Sequence, residues 1–164
     1  MVILRGLEER DKEQIYIWIS NPELRKMTGT RGKPNIENHA IWFSNKLRDK
    51  LNHIRMIEVE GKSVGIIGTN TMDNENRSAD IFIYIGEEEQ RNKGIASQAI
   101  KLFSNFLFKE CSCHKITASV RSYNEPSICL FQKNGFVCEG IQKEQVLFEG
   151  QYYDRFLFGM INNA

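Results

Sequence analysis

The sequence predicts an α/β (α+β) chain, with a mixed, mostly antiparallel sheet of about seven strands flanked by about four helices. Three observations predict it. Apolar residues keep a helical spacing in two early segments and again from Gly94 to Lys109. Between those segments, over residues 54–85, the spacing falls to two. After residue 109, short strand-like and helical runs alternate up to a closing hairpin.

Each element has its own signal. Val2-Ile3-Leu4 is a short apolar strand candidate. Asp11 is read as the cap of a helix over residues 12–20, with Ile15, Trp18 and Ile19 on one face. Asn21-Pro22 ends that helix, and Thr28 to Asn35 reads as a loop. Ile36 to Lys50 is a second helix that offers Ile41, Trp42, Phe43 and Leu47 to the core. Ile54 to Val59 and Ser63 to Asn70 are strands joined at Glu60-Gly61-Lys62. A third strand, Ala79 to Ile85, follows the polar turn 73–77 and completes an antiparallel meander. Its residues Ile81, Ile83 and Ile85 face one way, and Asp80, Phe82 and Tyr84 the other. Gly94 to Lys109 is the strongest helix, with Ala96, Ala99, Ile100, Phe103, Phe106 and Leu107 in helical register. Lys115 to Val120 is a strand, and Glu125 to Lys133 is a short helix stopped by Asn134-Gly135. Phe136-Val137, Gln145 to Phe148 and Tyr152 to Met160 read as strands, the last two joined at Glu149-Gly150.

Composition narrows the function. A chain of 164 residues, 41% hydrophobic and 26% charged, is globular and long enough for one core. No repeat or linker interrupts it, so residues 1–164 read as one domain. Lys plus Arg number 22 and Asp plus Glu 21, a net charge of +1. That balance argues against a broadly basic nucleic-acid-binding surface. The apolar run Ile81 to Ile85 is far too short to span a bilayer. Met1 to Gly6 lacks a basic n-region and a long apolar h-region, so no signal peptide is expected and the cytoplasm is the expected location. The four cysteines, Cys111, Cys113, Cys129 and Cys138, are then not expected to form disulfides. Cys111-Ser112-Cys113-His114 has no second ligand pair at zinc spacing, so no metal is expected.

The segment with most chemistry in it is Glu87 to Ala96. A strand ends at Ile85, a polar loop follows, and a helix opens near Gly94. Unpaired N–H groups at a helix start suit phosphate oxygens. Gly94 permits close backbone approach, Ala96 keeps the first turn clear, and Arg91 and Lys93 add positive charge. A solvated loop with one glycine is the alternative. Neither a three-glycine dinucleotide fingerprint nor a Gly-Lys-Ser/Thr phosphate loop is present.

Arg91-Asn92-Lys93-Gly94-Ile95-Ala96, preceded by Gln90, resembles the signature of the GNAT superfamily of N-acetyltransferases. Asn124-Glu125-Pro126-Ser127 and Leu130 to Phe136 resemble that family's second half. The resemblance covers essentially the whole chain and is weakest over residues 21–53. It looks closest to the branch of ribosomal-protein N-terminal, spermidine and nucleotide-amino-sugar acetyltransferases. Val137 to Gly140 and Glu149 to Asp154 support that branch. It implies a GNAT-like fold and acetyl-CoA as donor substrate. The N–H groups of Arg91, Asn92, Lys93, Gly94, Ile95 and Ala96 would hold the pyrophosphate. Ile83, Tyr84 and Ile85, on a strand splayed from its neighbour, would pair with the pantetheine arm. Asn124 would bond that arm, and Lys133 belongs to the same matched set.

Transfer to an amine then needs a neutral nitrogen, a stabilised thioester oxygen and a departing thiolate. No covalent enzyme intermediate is required. Two carboxylates are candidate bases, Glu144 slightly ahead of Asp80, with a solvated surface role as the alternative for both. Many relatives carry a tyrosine acid where this chain has Phe131. Ser127 resembles a serine that some relatives place near the sulfur, and it is equally readable as a first-turn helix residue. Tyr123 is a weaker candidate. His39, Trp42 and Phe43 lie in the region that walls the acceptor in relatives, with core packing the alternative for the two rings. Their spacing resembles the nucleotide-amino-sugar branch, whereas Glu87-Glu88-Glu89 would suit a polyamine if it is not a solvated loop. The expected acceptor is a small amine, such as an amino sugar nucleotide or a polyamine, or a protein N-terminus. Exposed late strands would suit a homodimer. A non-catalytic acyl-CoA-binding regulatory module of the same fold is the alternative, favoured only by Phe131.

Overall fold

A computed structural model of the chain describes residues 1–163. Its strands are β1 (Val2–Gly6), β2 (Ile54–Val59), β3 (Lys62–Asp73), β4 (Ser78–Ile85), β5 (Lys115–Arg121), β6 (Val137–Phe148) and β7 (Gln151–Ile161). Its α-helices are α1 (Asp11–Ile19), α2 (Pro22–Thr28), α3 (Ile36–Arg48), α4 (Ile95–Lys109) and α5 (Glu125–Lys133). The strands form one mixed sheet in the order β1-β2-β3-β4-β5-β7-β6. β1/β2, β2/β3, β5/β7 and β6/β7 are antiparallel, and β4/β5 is parallel. Among the described residues no helix is long and apolar enough to cross a membrane.

Three readings of the sequence need correction. Pro22 ends α1 and also starts a helix of its own. It occupies the first turn of α2, where its missing N–H has no helical partner to lose. The Asn21 side chain accepts from Glu23 N–H at 2.9 Å and Leu24 N–H at 3.2 Å, and Gly29 closes the helix at φ +71°. Among the described residues α2 is the fifth α-helix beside the four the sequence signals. Next, the two short late strands are one strand, β6, whose alternation is broken by two register shifts. Finally, Asp11 is the first residue of α1 and not its cap; the cap position is Arg10, whose side chain makes no capping bond.

By packing, the chain falls into two compact units. One comprises Met1–Thr69 and Phe82–Ala99; the other comprises Asn70–Ile81 and the chain from Ile100 onward. In the first, Ile15, Trp18, Leu24, Phe43, Ile54, Met56 and Ile66 form the core, with Trp42 and Tyr84 packed against it. In the second, Phe131 lies edge-on to Phe136 at 5.0 Å between ring centroids and stacks on Phe158 at 6.0 Å.

The first unit also buries charge. Asp11 bonds Arg5 through both carboxylate oxygens, at 2.7 and 2.8 Å, and Arg5 Nε donates to Glu58 Oε2 at 2.8 Å. Burial pushes the Asp11 carboxyl up, but the Arg5 bonds and the Glu8 N–H outweigh it and hold it below the usual range. A depressed native pKa stabilises the fold above the unfolded value and is lost as pH falls through the native one. Arg5→Leu leaves Asp11 ionised and buried without its partner. The expected loss is about 3–5 kcal/mol in urea unfolding at neutral pH. The gap to wild type should narrow as pH falls through the carboxylate range and close only below the depressed native value, where Asp11 is neutral in both proteins.

Candidate active site

In the first unit, β4 runs past Ile83, Tyr84 and Ile85 into a tight junction. Val64 O accepts from both Gly86 N–H (2.8 Å) and Glu87 N–H (3.1 Å). Two successive donors on one carbonyl turn the chain out of the strand. Two glycines allow it. A Cβ on Gly65 would lie 2.3 Å from Tyr84 O, and one on Gly86 would lie 2.2 Å from the Trp18 ring. Trp18 sits on Gly86, meets Tyr84 edge-on at 6.4 Å, and donates from Nε1 to Glu87 Oε1 at 2.8 Å. The Tyr84 hydroxyl is buried with no partner among the described residues, and that burial raises its pKa well above the usual phenol range. Glu88 and Glu89 are exposed, while Glu87 is half-buried.

A single 3-10 turn, Glu88–Gln90, leads to the helix. Arg91 N–H donates to Glu88 O at 3.1 Å and its Nε to Ile85 O at 3.0 Å, so the side chain ties the loop to the strand end. Asn92 at φ +61° and Gly94 at φ +78° reverse the backbone. Gly94 O accepts from Gln98 N–H at 3.1 Å, which makes Gly94 the residue before the first turn of α4. A Cβ there would meet nothing within 4 Å. Ile95 buries its side chain in the core, at 6% exposure. The N–H groups at the start of α4 have no carbonyl one turn back to bond, and they carry the positive end of the helix dipole. Lys93 is exposed beside them. His39 is buried, donates from Nε2 to Lys12 O at 2.7 Å, and stacks on Trp42 at 5.7 Å. Phe43 is 1% exposed, so this ring belongs to the core.

In the second unit, Asp80 pairs with Thr117 in the last register position of the β4/β5 ladder. Its Oδ1 accepts from Thr117 Oγ1 at 2.8 Å and its Oδ2 from Asn70 Nδ2 at 3.0 Å. Asn124 is buried and caps α5, accepting from Ser127 N–H at 3.3 Å. Ser127 is half-buried in the first turn, and Lys133 is exposed in the last. Phe131 is 3% exposed, a core residue. Glu144 is exposed at φ +51°, inside the second irregularity of β6. Its N–H donates to Asp154 Oδ1 at 2.9 Å, and Lys143 Nζ lies 2.9 Å from Asp154 Oδ2. The Glu144 N–H, then Lys143, hold the Asp154 carboxyl below its usual range. Cys113 is buried and Cys111 half-buried, while Cys129 and Cys138 are exposed; among the described residues none of the four is in a disulfide. Among the described residues no group of three His, Cys, Asp or Glu side chains could hold a metal.

Sequence reading missed the Trp18–Gly86–Glu87 assembly and the Asp154 bonds. A glycine directly after a strand was the available signal for the first. Nothing local signals the second, because it depends on cross-strand register.

Residues 1–137 match the acetyltransferase (GNAT) domain family. The chain belongs to that family. A prophage-derived uncharacterized N-acetyltransferase, YokL, of Bacillus subtilis is 29% identical over 96% of this chain and 88% of its own. The spermidine N(1)-acetyltransferase of Escherichia coli is 24% identical over 92% of this chain and 81% of its own. The crystal structure of a Vibrio cholerae spermidine N-acetyltransferase, in complex with CoA and spermine, superposes with a TM-score of 0.91. It shares 22% identity and covers 98% of this chain and 95% of its own. A ribosomal L7/L12 α-N-protein acetyltransferase superposes with a TM-score of 0.86 at 16% identity, over 98% of this chain and 90% of its own. This GNAT chain is an acyltransferase of the N-acetyltransferase kind.

Gly86→Ala tests how the strand end is held. Its methyl group must displace Trp18, so unfolding stability should fall by about 1–3 kcal/mol in denaturant titration. Trp18 fluorescence should shift with it, because the ring leaves Glu87.

Proposed function

We propose that the chain is a single N-acetyltransferase domain that moves an acetyl group from acetyl-CoA directly to a primary amine. The observation that carries this is the β4–α4 junction of a GNAT chain, where the helix opens beside an exposed Lys93 and an unobstructed Gly94. In this reading Asn92 to Ala96 bind the pyrophosphate through N–H groups. Arg91, whose N–H is committed to Glu88, adds charge and shapes the loop. The backbone of Ile83, Tyr84 and Ile85 pairs with the pantetheine arm and polarises the thioester carbonyl. Asn124 bonds the arm, and Lys133 adds positive charge toward the nucleotide end.

The amine nitrogen attacks the thioester carbon, the C–N bond forms and the C–S bond breaks. One proton leaves the nitrogen for a base, and the thiolate departs and takes a proton from water or Ser127. Both oxygens of Asp80 are held by Thr117 and Asn70, whereas the Glu144 carboxylate has no protein partner among the described residues. That difference favours Glu144 as the proton acceptor. The acceptor is an amine of the kind used by the named relatives, a polyamine or a protein N-terminus, or else an amino sugar nucleotide. The two solved structures named above are of a spermidine and of a protein α-N-acetyltransferase, so the choice rests on assay. Phe131 packs among Phe136 and Phe158 and supplies no acid, and Ser127 or water takes that part in this reading, so its absence does not favour a non-catalytic module. β6 is a sheet edge that exposes Val137, Ile141 and Leu147, a surface suited to a second copy of the chain.

Thiol release from acetyl-CoA is the direct assay, with spermidine, spermine, an N-terminal peptide and an amino sugar nucleotide as acceptors. Turnover with at least one is expected; CoA binding without turnover on any amine would sink the proposal. Gly94→Trp should weaken CoA binding at least about tenfold by filling the space over the first turn. Glu144→Gln should lower kcat by about 100-fold or more with CoA affinity held. Wild-type turnover in that variant would remove Glu144 from the mechanism.

A further inference from the structure

We propose that Asp154 is a positioning residue for acetyl transfer. From β7 it staples the β6 bulge that carries Glu144 to the β5–α5 junction that carries Asn124 and Ser127. This rests on the reading of Glu144 as the base.

The register defines the bulge. Gln142 pairs with Arg155 and Val146 with Tyr153, so three residues of β6 face Asp154 alone. Glu144, at the centre of the three, adopts φ +51°, a conformation that side chains other than glycine rarely hold without support. Asp154 supplies the support. Its Oδ1 takes the Glu144 N–H at 2.9 Å and its Oδ2 the Lys143 ammonium at 2.9 Å. An ionised carboxylate accepting an N–H makes a stronger bond than a neutral acceptor would. Arg155 Nε, donating to Gln142 Oε1 at 2.7 Å, closes the flank.

The other end of Asp154 faces β5. Its main-chain carbonyl accepts from Ser122 N–H at 2.9 Å. Ser122 is two residues before Asn124, and between them Tyr123 packs edge-on against Tyr153 at 4.8 Å. One residue therefore bonds the backbone of the candidate base on one side and the backbone of the junction that holds Asn124 and Ser127 on the other. Aspartate is a poor strand residue, and an exposed bulge needs no acid opposite it. The side chain here fixes where Glu144 starts, which a bulge closed by glycine would leave loose.

The test is a kinetic cycle in the full chain with an acceptor that the wild type uses. Asp154→Ala should lower kcat at least about tenfold, with KM for acetyl-CoA within about twofold. Asp154→Asn, whose amide oxygen can still take the Glu144 N–H, should keep at least about a third of the turnover. Asp154→Ala in the Glu144→Gln background should cost nothing further, because the two residues act through one group. Amide hydrogen exchange read by NMR supplies a second measurement: Glu144 N–H should be protected in wild type and D154N and exposed in D154A. If D154A fails to fold, Asp154→Ser takes its place in the cycle. Turnover in D154A within twofold of wild type, multiplicative losses in the double variant, or an unprotected Glu144 amide in wild type would each overturn the proposal. Absence of turnover on every amine shows in the wild type alone and overturns the transferase reading, whereas failure of the present inference shows only among variants of an active enzyme.

Discussion

The first turn of α4 offers several N–H donors with nothing inside the helix to accept them, and the first unit fixes where those donors sit. A helix start in an arbitrary place binds an anion weakly, because ordering the loop costs what the bonds return. Here the loop is ordered in advance. Val64 O takes two donors, Gly65 and Gly86 remove the Cβ atoms that would block the approach, and Trp18 fills the space over Gly86. Arg91 ties the loop back to Ile85 O. The strand end and the helix start are thus one rigid corner, held by backbone bonds and two missing side chains.

The second unit does the complementary work with carboxylates. Asp80 is closed off by Thr117 and Asn70 and stabilises the end of the parallel ladder. Asp154 is used up in holding β6, which leaves Glu144 as the acid of this group whose charge is not already engaged. Three carboxylates close in sequence type therefore have three different duties, set by their hydrogen-bond partners and not by their identity.

What could be read from the sequence was what lies in consecutive residues. α5 has the bounds its signals predict, because a proline in the first turn and the stop at Asn134-Gly135 sit within one short stretch, although its Asn124 cap was not read. Arg91 to Ala96 was visible for the same reason. Pro22 misled, since proline both stops the helix before it and starts the one after, and only the Asn21 side-chain bonds decide between the two. β6 looked like two strands because Lys143 to Gln145 break the alternation, and whether such a break is a loop or a bulge depends on the partner strand. Asp154 and Trp18 reach across register and fold, so no local pattern could assign them.

A phenylalanine at position 131 fits the energetics of the proposed reaction. A thiol ionises near pH 8.5 and a primary amine near pH 10.4, so at neutral pH the thiolate is the better leaving group and the amine the more firmly protonated partner. The larger barrier lies in obtaining a neutral amine and in removing its last proton. A chain that gives up an acid near sulfur forfeits little. A chain that gives up the base near nitrogen forfeits the reaction. Phe131 accordingly packs in the core with Phe136 and Phe158, and in the proposed mechanism the carboxylate-held backbone at Glu144, with φ +51°, presents the base.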